Sequence, residues 1–267
     1  MVTDSSTCLP RELLDKLSIR VVPVSVHLPG ADTVDGTDQL SRRISEAVER
    51  DQYVRSSQPF ITDYLAAIED SGCEEVAVVT PAMEFAGMYR NASLAAELTP
   101  RRAVVLDSRT AAAGQALVVL AGAGAASAGA SLDAVVECIE EAARRVDLVA
   151  ALQTLEPIRR SRRVPAPALG TSLEAVRSLF RMRNGTVEPL GDLAGDDEAL
   201  GRIAEEFRRG GGEGAEHSTV FHADCPEVAE RLCGLVGEVD FVSGFSAAMQ
   251  LHTGPGVVGA AWLPARL

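Results

Sequence analysis

His252 stands before Thr253-Gly254-Pro255-Gly256, and a Gly-Pro-Gly turn can hold an imidazole rigidly. Such an imidazole can donate or accept a hydrogen bond, act as a nucleophile, or take a proton as general base. A second polar cluster is Ser56-Ser57-Gln58-Pro59. Its hydroxyls, with N–H groups at a helix end, can bind an anion; equally, Pro59 at the first helical position makes the stretch a cap. The residues alone leave both roles open. The histidines His27, His217, His222 and His252 match neither HxxxH nor HExxH spacing, so no metal site is expected. No Walker-type or dinucleotide-type glycine loop follows a strand, so no nucleotide site is expected either. Gly244 and Ser246 in SGFSAAM lack the second glycine of a hydrolase nucleophile elbow.

These groups must be carried by a sizeable fold. The chain has 267 residues, 46% hydrophobic and 24% charged, enough to bury a large core. Aromatic residues are only 4%, so Ala, Val and Leu must build that core. The formal net charge is −13, from 25 basic and 38 acidic side chains. That balance gives no general attraction for nucleic acid or an anionic membrane. Cys8, Cys73, Cys138, Cys225 and Cys233 form no CxxC pattern and are expected to be reduced thiols of a cytoplasmic protein. The opening MVTDSS has no basic or apolar leader character, and the apolar stretch 116–131 is too short to span a membrane.

Strands are expected at the opening residues, 19–28, 74–82 and 102–108, with helices at 9–17, 39–50, 60–72, 88–98, 113–129 and 131–146. The stretch 54–60 is placed between two helices. Glycines 122, 124 and 129 fall in a helical pattern, where close packing is their expected role. This alternation predicts a parallel sheet covered on both faces, with ligands beyond the carboxyl ends of its strands. Thr3-Asp4-Ser5, Thr80 and Asp107-Ser108 sit at such ends, where capping is the competing role. The second half mixes hairpins and helices: Asn184-Gly185 marks a hairpin, 197–211 and 225–238 read as helices, 210–216 as a flexible glycine-rich loop, and 218–224 as a strand. The final segment around His252 reads as strand-like. The basic cluster at 159–163 stands out in an acidic chain.

In order along the chain come VTDSSTCLP, IRVVPVSV, Asp35-Gly36, SSQP, AGMY, VVLDS, LEPIRRSRRV, FHADCPEVAERL and HTGPG. In that order the chain resembles the DegV family of bacterial fatty-acid-binding proteins over essentially its whole length. The opening TDS and closing HTGPG are the most specific segments. The resemblance implies two α/β domains: a Rossmann-like parallel sheet with helices on both faces at 1–147, and an α+β domain with a mixed sheet at 148–267. It implies a long-chain fatty acid in an apolar tunnel, with its carboxylate at the domain interface and no cofactor. In that setting Ser56, Ser57, Ala82, Ala86, Gly87 and His252 lie at the head group, and Arg163 and Thr253 contact phosphate or a partner. The family pattern has hydroxyls where this chain has Ala82, Met83, Ala86 and Met88, while Gly87 and Tyr89 stay. Each lost hydrogen bond to a charged group costs about 1.5–3 kcal/mol.

The expected function is therefore that of a carrier and not an enzyme. A separate ATP-binding fatty acid kinase subunit would phosphorylate the bound acid, and contact with a membrane would be at most transient. The alternatives are a lipid-binding or regulatory homologue with an altered or unphosphorylated ligand, and a small-molecule enzyme using His252.

Overall fold

A computed structural model describes residues 1–36, 40–50, 52–153, 155 and 177–266. Four parallel strands, β1 (Val2–Asp4), β2 (Arg20–Val22), β6 (Glu75–Thr80) and β7 (Arg102–Asp107), form a sheet in the order β2-β1-β6-β7. Its helices are α1 (Arg11–Lys16), α3 (Ile61–Glu69), α4 (Met88–Leu98), α5 (Ala112–Ser127) and α6 (Leu132–Arg145). The residues 19–28, read as one strand, are two. Pro23 has no N–H to continue the ladder, which ends with Asp4 opposite Val22. Val24 N–H then donates to Ser5 Oγ at 3.0 Å, and the chain turns into a second sheet.

That second sheet is antiparallel and small, in the order β4-β3-β5: β3 (Ser25–Leu28), β4 (Ala31–Val34) and β5 (Arg55–Ser57). The helix α2 (Leu40–Glu49) lies between β4 and β5 in the chain. Three residues of the stretch 54–60 are thus a strand, and α3 starts only at Ile61, with Phe60 N–H donating to Asp63 Oδ2 at 2.7 Å.

The third sheet is mixed, in the order β10-β9-β8-β13-β11-β12. Its strands are β8 (Asp147–Leu152), β9 (Arg177–Arg183), β10 (Thr186–Leu193), β11 (His217–His222), β12 (Phe241–Gly244) and β13 (Val258–Leu263); only β11 and β12 run parallel. Asn184 (φ 49°) and Gly185 (φ 78°) make the β9–β10 turn, as Asn-Gly predicts. The helices α7 (Asp196–Arg209) and α8 (Pro226–Val236) bury Leu200, Ile203, Phe207 and Leu232 against one face of this sheet. The short α9 (Ala247–Thr253) links β12 to β13. The architecture is α/β, with the parallel sheet and the mixed sheet that were expected.

α5 explains the composition. Residues Ala112 to Ala123 are buried on every side, because this helix packs on the parallel sheet and on β8, β11 and β13 together. Its small Ala side chains let both sheets approach. A Cβ at Gly122 would run into Ile139 of α6, whereas Gly124 meets open space and Gly129 (φ 82°) follows the helix end. The loop 210–216 is held rather than loose: Trp262 Nε1 donates to Gly210 O at 2.8 Å, and Gly212 lies against the Phe207 ring. All five cysteines are free thiols. Among the described residues, no helix is long and apolar enough to cross a membrane.

Candidate functional site: an apolar cavity with a polar end

The period-two alternation of β8 turns Leu148, Ala150 and Leu152 toward α5. With Phe180, Met182, Val187, Phe221, Phe245 and Val257, they line a cavity of about 120 Å³ closed by Ala111 and Ala112 at the start of α5. Phe221 and Phe245 stack at 5.3 Å with planes 6° apart and form one wall. Among the described residues its polar lining is Arg181 and Thr253. A cavity so lined takes an alkyl group.

α9 forms the end of this cavity. Met249 and Thr253, one turn apart, face it. Met249 also lines a second, polar pocket of about 20 Å³, together with Ser6, Asp35, Gln58 and His252. That volume suits one small polar group and not a chain. One methionine therefore separates an apolar cavity from a polar pocket.

His252 lies in the last turn of α9 and not on the turn itself, because the strand-like reading of this segment missed a helix of only seven residues. Ser246 caps that helix, its Oγ accepting from Met249 N–H at 3.3 Å. Gly254 (φ 76°) and Gly256 (φ 76°) then supply the left-handed backbone that ends it. The turn is tied down by Gly256 N–H donating to Ala223 O at 2.7 Å and by the buried Arg177, which donates to Gly256 O and pairs with Asp196 at 2.7 Å. His252 Nε2 and Ser56 Oγ share a hydrogen bond of 2.7 Å, joining residues 196 apart in sequence.

Ser57 does not join that pair. Ser56 lies opposite Val26 and Ser57 opposite Ser25, so alternation sends the two hydroxyls to opposite faces. Ser57 Oγ meets His27 Nε2 at 2.9 Å, and His27 Nδ1 meets Asp32 Oδ1 at 2.8 Å. Gly87 comes close to the polar pocket, since a Cβ there would meet Gln58 Oε1 at 2.8 Å. Ala82 is fully buried and its N–H donates to Thr110 O at 2.7 Å. Ala86 packs on the core beneath the small sheet, which includes the buried Met88. Neither alanine lines the pocket. Thr253 Oγ1 donates to Met249 O at 3.1 Å and faces the apolar cavity. Arg163, with the basic cluster 159–163, lies outside the described residues.

Behind Ser6 sits a fully buried carboxyl group. Asp4 accepts from Ser6 N–H at 3.0 Å, from the Ser6 hydroxyl, and from Gln115 Nε2 at 3.1 Å. Burial outweighs these bonds and raises its pKa above the ordinary carboxyl value. Cys8 receives Ser246 N–H at 3.3 Å, and burial, helped by the Asp35 charge, pushes its thiol up to about 12. This thiol joins the first strand–helix connection to α9. Asp35, Gln58 and Met249 were not among the expected site residues. Asp35 reads as a turn residue beside Gly36, and Met249 stands out only once α9 is a helix, where it precedes His252 by three.

The family model described as "Uncharacterised protein, DegV family" matches residues 1–265. A DegV domain-containing protein of Deinococcus radiodurans is 31% identical over 276 residues, 99% of this chain and 98% of that protein. Another, from Mycobacterium tuberculosis, is 30% identical over 270 residues, 97% of this chain and 95% of that protein. Among solved structures, a DegV family protein from Thermus thermophilus described in terms of fatty acid binding is 29% identical. It superposes with a TM-score of 0.87 over 98% of both chains.

Proposed function

Because this chain belongs to the DegV family, we propose that its two adjoining cavities hold a long-chain fatty acid. The acyl chain would lie in the cavity between α5 and the mixed sheet, and the carboxyl group would reach the Ser56–His252 pair. The observation that carries this reading is Met249, which lines the apolar cavity and the polar pocket at once. The fatty acid binding of the Thermus thermophilus relative supports it. The bound acid would then be handed to a separate kinase subunit for acyl-phosphate formation, with catalysis in that partner. We place the division of the chain at 147/148, at the first residue of β8, the strand that opens the mixed sheet, and its site of action in the cytoplasm, in keeping with five free thiols.

The test is direct. The protein purified from a bacterial host is extracted with organic solvent and the extract weighed by mass spectrometry. Fatty acid in stoichiometric amount is the expected result. A protein that is empty and also fails to take up labelled fatty acid overturns the reading. With a kinase subunit added, His252→Ala should lower acyl-phosphate formation more than acid binding, and equal losses would remove the role given to His252. A second reading has its own support: the buried Ala82 and Met88 stand where the family has hydroxyls. It holds that the lipid is carried without being phosphorylated, and full binding with no acyl-phosphate would select it.

A further inference from the structure

The outer face of the small sheet carries a second set of reactive groups. Val26 and Leu28 of β3 are buried in the core beneath this sheet, so alternation turns Ser25 and His27 outward. Strand register then fixes two rows across that face. Val34, Ser25 and Ser57 form one, and Asp32, His27 and Arg55 form the other. His27, on the central strand, sits between a carboxylate and a hydroxyl. Its Nδ1 meets Asp32 Oδ1 at 2.8 Å and its Nε2 meets Ser57 Oγ at 2.9 Å. A carboxylate accepts, so Nδ1 holds the proton and Nε2 accepts from the Ser57 O–H. Hydroxyl, imidazole and orienting carboxylate thus stand in the order of contacts that activates a serine.

These contacts alone would also serve as cross-strand clamps, and a neighbouring groove separates the two roles. The groove is open, has a volume of about 720 Å³, starts at Ser25 and Val34, and runs between α1, β2 and α3. Phe60, 60% exposed, and Val34, 43% exposed, give it apolar walls. Directly opposed residues on neighbouring strands lie about 5 Å apart, so a group held at Ser25 reaches Ser57. Arg55 is exposed on the same face, where its guanidinium can meet an oxyanion formed at Ser57.

We propose that Ser57, His27 and Asp32 form a hydrolytic site for carboxylic esters with a short apolar acyl group, which the groove beside Ser25 holds. Ser57 Oγ attacks the ester carbonyl carbon as its proton passes to His27 Nε2. The carbon–oxygen bond to the alcohol breaks, and His27 returns the proton to the departing oxygen. Water, giving a proton to the same nitrogen, then attacks the acyl-serine. The acid leaves and the proton goes back to Ser57 Oγ, so the sum is ester plus water to acid plus alcohol. Asp32 acts through His27 as a positioning residue. The site lies on the opposite face of β5 from the Ser56–His252 pair, so it stands or falls independently of lipid binding.

The probes are p-nitrophenyl butyrate and a fluorophosphonate, each given to the full chain. The expected results are saturable release of p-nitrophenol and, after loss of fluoride, a phosphonyl label on Ser57 located by peptide mass spectrometry. Ser57→Ala should abolish both. His27→Gln should lower kcat by about a hundredfold or more. Asp32→Asn should lower kcat with KM nearly unchanged, and Asp32→Glu should restore part of the loss, which removing a strand clamp would not produce. A label on Ser56 or elsewhere overturns the proposal, as does hydrolysis by Ser57→Ala at the wild-type rate. Absence of saturable turnover by the wild type overturns it too and leaves the network as a clamp between strands. If Ser57→Ala does not fold, turnover by the wild type and the position of its label decide alone.

Discussion

Ser56 and Ser57 are neighbours in the chain whose hydroxyls have different partners, His252 and His27. Ser56→Ala should therefore weaken fatty acid binding by about 1 kcal/mol, roughly fivefold, the usual net worth of one hydrogen bond. Ser57→Ala should leave it nearly unchanged, and displacement of a fluorescent fatty acid measures both. A larger loss for Ser57→Ala would place the head group on the His27 side. Asp4 makes a prediction about pH. Its folded pKa lies above the ordinary 3.8, so between those two values the folded chain holds more protons than the unfolded one. Stability from this group is present at low pH, declines as pH rises through that window, and stays reduced above it. Urea midpoints across that range should show the decline in the wild type and lose it in Asp4→Asn. The reverse slope would mean that the Ser6 and Gln115 bonds outweigh burial.

At the scale of elements, what could be read in advance depended on how far an element carries its own signal. α4 and α6 announce themselves by apolar spacing, and α6 also by the Ser131 cap, whose Oγ accepts from Ala134 N–H. β5 and α9 do not. Three residues in one case and seven in the other give too few repeats for periodicity to speak, and both are set by what they pack against. The same limit applies to the site. His252 and Ser56 can be nominated singly, but their pairing depends on β5 meeting α9. β9 carries a further long-range device. Arg181 binds the fully buried Asp147 through Nη2 at 2.6 Å and approaches the buried Glu206 at 3.4 Å. Arg181→Ala removes the partner and leaves the carboxylate in the core. It should lower unfolding stability by about 3–5 kcal/mol in urea titrations. A loss below about 1 kcal/mol would show that water already reaches Asp147.

For the molecule as a whole, α/β alternation in the first half and hairpins in the second were legible, because turn chemistry and strand composition are local. The relation between the halves was not, because it depends on α5. That helix reads as buried from its composition, yet nothing in its residues says that two sheets share it. Its position has a thermodynamic consequence. A helix with one side on each sheet belongs to neither half, so no fracture line runs between them. Melting either sheet strips the other of its cover and exposes the same Ala, Val and Leu side chains. The division proposed at 147/148 would then be one of architecture and not of unfolding. Scanning calorimetry should show one heat-absorption peak, with matching calorimetric and van't Hoff enthalpies, where independent halves would give two.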